Sequence, residues 1–226
     1  MAHFSPDTFS FLADLSENNH REWFAANKAR YHAVVRDPAI QFILDFGAHL
    51  RSISPCFRAD PRSNGGSLFW IHRDVRFSRD KSPFKTHTGI QFRHDAGKDA
   101  HAPGFYLHVA PGGSFAGLGS WRPGGPALRK IREGLVEDPE GWRQAVNNRE
   151  FRSRFELSGD TLKRPPRGFD PGHPLVEDLK RKDFVALCPL SDQAVLAPDF
   201  LEDFADLCRV GAPFVFFLCK TLEVPF

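Results

Sequence analysis

The chain has 226 residues, 41% of them hydrophobic, a length and composition that favour one domain with a substantial core. Thirty basic residues against 28 acidic ones leave a formal charge of +2, too balanced for a dedicated nucleic-acid binder. No run approaches the roughly 20 apolar residues of a membrane span, and the start M-A-H-F-S-P-D-T carries no basic segment followed by an apolar one, so no signal peptide is visible.

Ser5-Pro6-Asp7 predicts a helix start, with Phe9, Phe11, Leu12 and Leu15 following at helical spacing to about Asn18-Asn19. A second helix begins near His20, its stripe formed by Trp23, Phe24, Asn27, Tyr31, Val34 and Val35. In this junction Asn19 reads as a cap whose box is closed by Glu22. Asp37-Pro38 interrupts that helix and starts a third, which ends near residue 53. Residues 54–66 hold two prolines and two glycines and read as a loop.

From Ser67 the period becomes alternating, and strands are expected at about 67–77, 87–94, 104–110 and 113–120. Pro111-Gly112-Gly113 joins the last two as a hairpin, and the short connections argue for an antiparallel meander. Helices return at about 126–136, 139–147 and 148–155, the middle one capped by Asp138. Residues 159–174 are irregular, 175–180 form a helical turn or two, and 183–190 a last strand. Pro198 opens a closing helix that Pro213 bends or breaks. Helices at about 5–53, central strands at about 67–120 and a mostly helical remainder at 126–226 make one α+β domain, with an antiparallel or mixed sheet.

The most informative stretch is H-R-D-V-R-F-S-R-D-K-S-P-F-K-T-H, His72 to His87. Alternation puts Phe69, Ile71, Arg73, Val75 and Phe77 on one face and Trp70, His72, Asp74 and Arg76 on the other. Arg73 on the apolar face must be paired, with Asp74 or Asp80 as the partner, because an uncompensated buried charge costs several kcal/mol. Arg76, Lys81 and Lys85 form a chemically reasonable cradle for an anion, with Trp70 and His87 at its edge. The competing reading is a structural network of these same charges, with function elsewhere.

Other constellations carry less. His72, His87, His94, His101 and His108, with Asp74, Asp95 and Asp99 close in sequence, lack any compact ligand spacing, so no metal is expected; His87 and His108 are the pair to test. Ser120 to Pro126 reads as a turn into a helix that could expose amides to an anion beside Arg122. Lys163, Arg164, Arg167, Lys180, Arg181 and Lys182 make a basic rim on residues 162–182, the basis of an alternative nucleic-acid or protein interaction module. G-x-G-x-x-G, G-x-x-x-x-G-K-[ST] and G-x-S-x-G are all absent. Cys56, Cys188, Cys208 and Cys219 show no C-x-x-C spacing. The last three sit among apolar neighbours and read as reduced, buried thiols in a cytoplasmic protein.

The charged stretch also resembles a family signature, R-x-x-R-D-x-R-F-x-x-x-[DN]-K-x-P-Y, of a bacterial and fungal family, the domain of unknown function numbered twenty-four sixty-one. Arg73, Asp74, Arg76 and Phe77 match it, and Asp80, Lys81 and Pro83 match its [DN]-K-x-P after a spacer one residue shorter; Trp70 stands where the family has Arg, and Phe84 where it has Tyr. The first departure removes one arginine from that end of the strand and the second a hydroxyl that could donate a proton. The likeness extends through N-N-H-R-E-W-F, R-P-P-R-G-F-D and L-K-R-K-D-F. It implies membership but no particular reaction, cofactor or partner. The expectation is therefore a cytoplasmic protein, requiring no cofactor, that holds a small anionic or polar ligand with Arg73, Asp74, Arg76, Asp80, Lys81, Lys85, Trp70 and His87. Chemistry at these same residues is a further reading.

Overall fold

The computed structural model describes residues 2–62, 64–97 and 103–226; Asp99 and His101 fall outside them. The N-terminal third is helical: α1 (Pro6–Glu17), α2 (Arg21–Ala26), α3 (Lys28–Tyr31), a π-helical turn (His32–Arg36) and α4 (Asp37–Ile53). Strands β1 (Thr88–Arg93), β2 (Gly104–Val109) and β3 (Ser114–Ser120) come next, then helices α5 (Gly125–Glu137), α6 (Pro139–Asn147) and α7 (Arg149–Arg154). The chain closes through β4 (Glu156–Ser158), α8 (Val176–Leu179), β5 (Phe184–Leu190), α9 (Asp192–Val195) and α10 (Phe200–Thr221). All neighbours in the five-stranded sheet are antiparallel, in the order β1-β2-β3-β5-β4. A single α+β domain is what the sequence pattern anticipates.

One sheet face makes the core. Ile90, Phe92, Phe105, Leu107, Ala116, Leu118, Phe184 and Ala186 are buried there beneath α4 and α10. Phe46 of α4 packs on Phe92 and on Phe204 of α10, with ring centroids 4.6 and 5.0 Å apart. α10 approaches β3 closely at Gly211, where a Cβ would lie 2.5 Å from Leu118. A second, smaller cluster joins α1, α2 and α3 to Ile71 and Phe84, outside the main core.

Two breaks are handled differently from expectation. Pro38 does not separate two helices, because a π-turn carries the chain through, with the Asp37 N–H bonding to the His32 carbonyl. Pro38 has no N–H for the Val34 carbonyl, and the Thr8 hydroxyl of α1 donates to that oxygen at 2.7 Å instead. Pro213 neither bends α10 enough to end it nor divides it. It lies on the exposed side, as does Arg209, whose carbonyl loses its helical donor, so water can take that acceptor.

The expected strand at 67–77 is not a strand. Residues 67–73 form no ladder and hold two isolated bridges, Leu68 to Ile90 and His72 to Phe84. The Phe69 N–H donates to the Gly89 carbonyl, and Lys85 N–H to Ile71 carbonyl. Beyond Arg73 the ladder stops and the chain loops out. Phe77, expected in the core, is 96% exposed.

Candidate functional site

The base of the signature loop is fixed from the helical side. Asn19 donates its amide to the Phe84 carbonyl and accepts from the Phe84 N–H, each at 3.0 Å. It is therefore not the cap of α2; His20 is, its Nδ1 accepting from the Trp23 N–H. The Phe84 ring stacks on Phe24 at 4.2 Å and is 2% exposed, so the position where the family signature has Tyr is a packing position here. Asn27 is used locally, donating to the Trp23 carbonyl, and Lys28 is exposed.

Within the loop most charges satisfy one another. Arg73 pairs with Asp80, and Arg76 with Asp74 at 2.7 Å. The Arg76 guanidinium holds the Asp74 carboxyl down at about 2, and the Ser82 hydroxyl and N–H, then Arg73, do the same for Asp80. Arg73 is paired as its position demanded, but it is 31% exposed rather than buried in the core. Lys81 donates to the Val75 carbonyl at 2.9 Å and is exposed. Arg76, Lys81 and Lys85 thus each hold a different partner: Asp74, the Val75 carbonyl and the Trp70 carbonyl. Trp70 is 55% exposed, with its ring beside His72.

Lys85 and His87 lie elsewhere, against the sheet face that the helices leave. Alternation gives His87 the same side as Gly89, and Gly89 pairs with His108 across β1 and β2. His108 in turn pairs with Phe115 across β2 and β3. The three rings stack in order, His87 on His108 at 4.1 Å and His108 on Phe115 at 4.5 Å. The Tyr106 hydroxyl is 3.2 Å from His108 Nδ1, and it occupies the space over Gly89, where a Cβ would lie 2.6 Å from it. Phe69 closes the near side at 6.0 Å from Tyr106, and the Lys85 ammonium group lies 5.4 Å from the Phe69 ring.

The electrostatics of this corner are one-sided. Lys85 is half-buried and donates at 2.6 Å to the Trp70 carbonyl; among the described residues no carboxylate is in ion-pairing range of it or of His87. Burial holds Lys85 below the usual lysine range. Burial, then the positive charges of Lys85 and Arg73, hold His87 down. Burial, then His87, push His108 down to about 4, and burial lifts Tyr106 to about 12. At neutral pH the pair is Tyr106–OH and uncharged His108, so a proton donated by Tyr106 to Nδ1 leaves the His108 proton on Nε2. Neither ring nitrogen of His87 has a hydrogen-bond partner among the described residues.

The other sequence candidates resolve into structure. His87 and His108 do come together, but stacked rings direct their in-plane lone pairs side by side, not at one ion. No group of three His, Cys, Asp or Glu among the described residues could hold a metal. His94 is buried and bridges the Pro225 carbonyl and the Ala96 N–H. In the basic rim, Lys180 pairs with Glu177 and Arg181 with Asp178, which also accepts from the buried Trp142 indole at 2.9 Å. Lys163, Arg164, Arg167 and Lys182 remain exposed. Arg122 keeps its N–H on Asp183, a buried carboxylate that also accepts from Asp160. A cleft of about 540 Å³ between α5 and α10 contains Lys130 and Lys220, both already paired, with Glu223 and Asp138.

Tyr106 and Phe115, which the sequence reading does not name, are reachable from it only through register. A tight turn at Pro111-Gly112-Gly113 puts His108 opposite Phe115, and alternation adds His87; the position of Phe69 comes from no local pattern.

No curated protein and no solved structure matches the chain. A family model does, over residues 7–217, which takes in the charged loop, the sheet and nearly all of α10. On that match the chain belongs to the family described as conserved hypothetical protein (DUF2461).

Proposed function

We propose that the protein binds a small anionic ligand at the corner formed by Lys85 and His87, with Arg73 behind them and Tyr106 and His108 as the adjoining wall. The observation that carries this reading is the uncompensated charge. Lys85 rests on a backbone carbonyl with no carboxylate beside it, and its positive charge, with that of Arg73, adds to burial in opposing a proton on His87. A buried or half-buried cation without a counter-charge is costly, and an anion arriving there recovers part of that cost. A structural network accounts for Arg73, Arg76, Asp74 and Asp80, but not for Lys85 and His87.

Among the described residues no helix is long and apolar enough to cross a membrane. All four cysteines are free, with Cys188, Cys208 and Cys219 buried, which supports a reducing compartment such as the cytoplasm.

Sulfate or phosphate at low millimolar concentration should raise the melting temperature above that in chloride of equal ionic strength. Saturation to 100 times the dissociation constant is worth about 2.7 kcal/mol. Low concentrations keep general salting-out small. Lys85→Gln should abolish the anion-specific shift, whereas Arg76→Ala and Lys81→Ala should keep it. If Lys85→Gln keeps the whole shift, the anion binds elsewhere, the exposed Lys163, Arg164, Arg167 and Lys182 being the next set to test.

A further inference from the structure

We propose that the loop between Asp74 and Ser82 docks the protein on an anionic lipid surface. Phe77 enters the apolar layer beneath the headgroups, while Arg79 and Lys81 meet the negative headgroups themselves. The loop is braced at its base by the Arg73 N–H on the Pro83 carbonyl and by the Arg73–Asp80 pair. Further out, the Lys81 ammonium group and the Ser78 N–H both donate to the Val75 carbonyl, which closes a turn with Arg76 and Phe77 at its centre. Phe77 is therefore held at an apex, 96% exposed. A lone apolar side chain at a surface is ordinary. Phe77 differs in degree: Leu44, Trp70, Trp121, Val136 and Phe216 are exposed too, but each keeps much of its surface covered.

Charge says what kind of surface covers the ring. Residues 72–87 hold five basic side chains and two acidic ones, an excess larger than the +2 of the whole chain, so the rest of the molecule is slightly acidic. Asp74 and Asp80 are taken by Arg76 and Arg73. Arg79 is exposed with no carboxylate in ion-pairing range among the described residues, and Lys81 rests on a backbone carbonyl. This layout turns the loop toward a negative surface and the remainder away from it. The basic groups alone give adhesion that salt screens, and the buried ring supplies the part that salt does not remove. Single-stranded nucleic acid stacks on rings set in a charged groove, and nothing walls Phe77. A protein partner would have to bring a pocket matched to one ring. A bilayer needs none, because its acyl layer closes around what enters. The anion corner is not used: Phe77, Arg79 and Lys81 lie outside it.

The test is sedimentation of the intact chain with vesicles of phosphatidylcholine alone, or of phosphatidylcholine mixed with phosphatidylglycerol, at low and at physiological salt. Binding is expected to the mixed vesicles and not to phosphatidylcholine alone. Phe77→Ser alters a side chain with almost no contacts, so it should melt with the parent chain, yet weaken vesicle binding by on the order of tenfold. Phe77→Trp should keep the binding or tighten it. Arg79→Gln with Lys81→Gln should weaken it and flatten its salt dependence. No binding, equal binding to both kinds of vesicle, or binding undiminished in Phe77→Ser overturns the proposal. If Lys85→Gln abolishes binding and Phe77→Ser does not, a headgroup phosphate is held at the Lys85 corner and the loop is not the anchor. A Phe77-dependent association with a single-stranded oligonucleotide, or with a second copy of the chain, in place of vesicles would give the surface a different occupant and end the lipid reading.

Discussion

The Asn19 side chain treats Phe84 as a strand neighbour would, exchanging two 3.0 Å hydrogen bonds with its backbone. Through this pair the N-terminal helices, not the sheet, hold the chain immediately before Lys85. Each such bond contributes about 0.5–1.5 kcal/mol, and leaving the buried Phe84 groups unpaired costs more. Asn19→Ala should therefore lose about 1–3 kcal/mol of unfolding free energy in urea. Asn19→Asp, which can still accept from the Phe84 N–H but cannot donate, should fall between. An unchanged midpoint in both would mean that Asn19 does not hold the loop.

Arg73 gives the opposite expectation. Its pair with Asp80 is open to solvent, at 31% and 56% exposure, and Asp80 keeps its Ser82 hydrogen bonds when Arg73 is gone. Exposed ion pairs contribute about 0–1 kcal/mol. Arg73→Met should cost less than about 1 kcal/mol by denaturant titration, not the several expected of a buried charge. A larger loss would restore a buried role.

The contrast between those two residues shows what the sequence carries. Ile90 and Phe92, then Phe105, Leu107 and Val109, alternate as strand residues do, and each one is buried. Val75 and Phe77 continue the same alternation from Ile71, yet Phe77 is 96% exposed. Periodicity records which residues are apolar; it does not record where the pairing partner ends, and here the partner ends at the His72–Phe84 bridge. The three residues of β4, Glu156, Leu157 and Ser158, are too few to show a period at all. Lys85 and His87 stand out in the sequence as part of a charged run. Their placement against Trp70, Phe69 and His108 comes from contacts that no local pattern encodes.

The bond from Thr8 to Val34 makes a prediction about a proline. Thr8 is fully buried, and its hydroxyl supplies the donor that Pro38 cannot. Thr8→Val keeps the shape but strands the Val34 carbonyl, for a loss of about 1–3 kcal/mol. Pro38→Ala restores an N–H four residues along, so the double variant Thr8→Val/Pro38→Ala should lose less than the sum of its parts. Strict additivity in the double-mutant cycle would show that the two donors do not compete for one carbonyl.

The stacked histidines make stability depend on pH. The folded-state value of His108 is about 4, against 6.5 for the free side chain, and His87 is lowered as well. Below pH 6.5 the unfolded chain takes up protons that the folded one refuses, so stability is fullest above 6.5 and declines toward 4. An unscreened shift of this size would be worth about 3 kcal/mol, which solvent at the half-buried ring reduces to about 1–2 kcal/mol. Urea unfolding at pH 7.5 and pH 5.0 should show that loss in the parent chain and less of it in His108→Gln. Equal losses in both would place the proton uptake elsewhere.

An anion at Lys85 should reverse the effect on His87. Burial, then Lys85 and Arg73, oppose its protonation; a bound sulfate adds negative charge on the same side and favours it. The His87 proton resonance, followed by NMR across pH 5 to 8, should therefore titrate at a higher pH with saturating sulfate than with chloride at equal ionic strength. Linkage is reciprocal, so each unit of that shift is a tenfold tightening of sulfate on protonation, about 1.4 kcal/mol. Sulfate affinity should accordingly rise as pH falls, and Lys85→Gln should shrink both changes together. If the His87 shift with sulfate is as large in Lys85→Gln as in the parent chain, the ion acts on the whole surface and no site at this corner is needed.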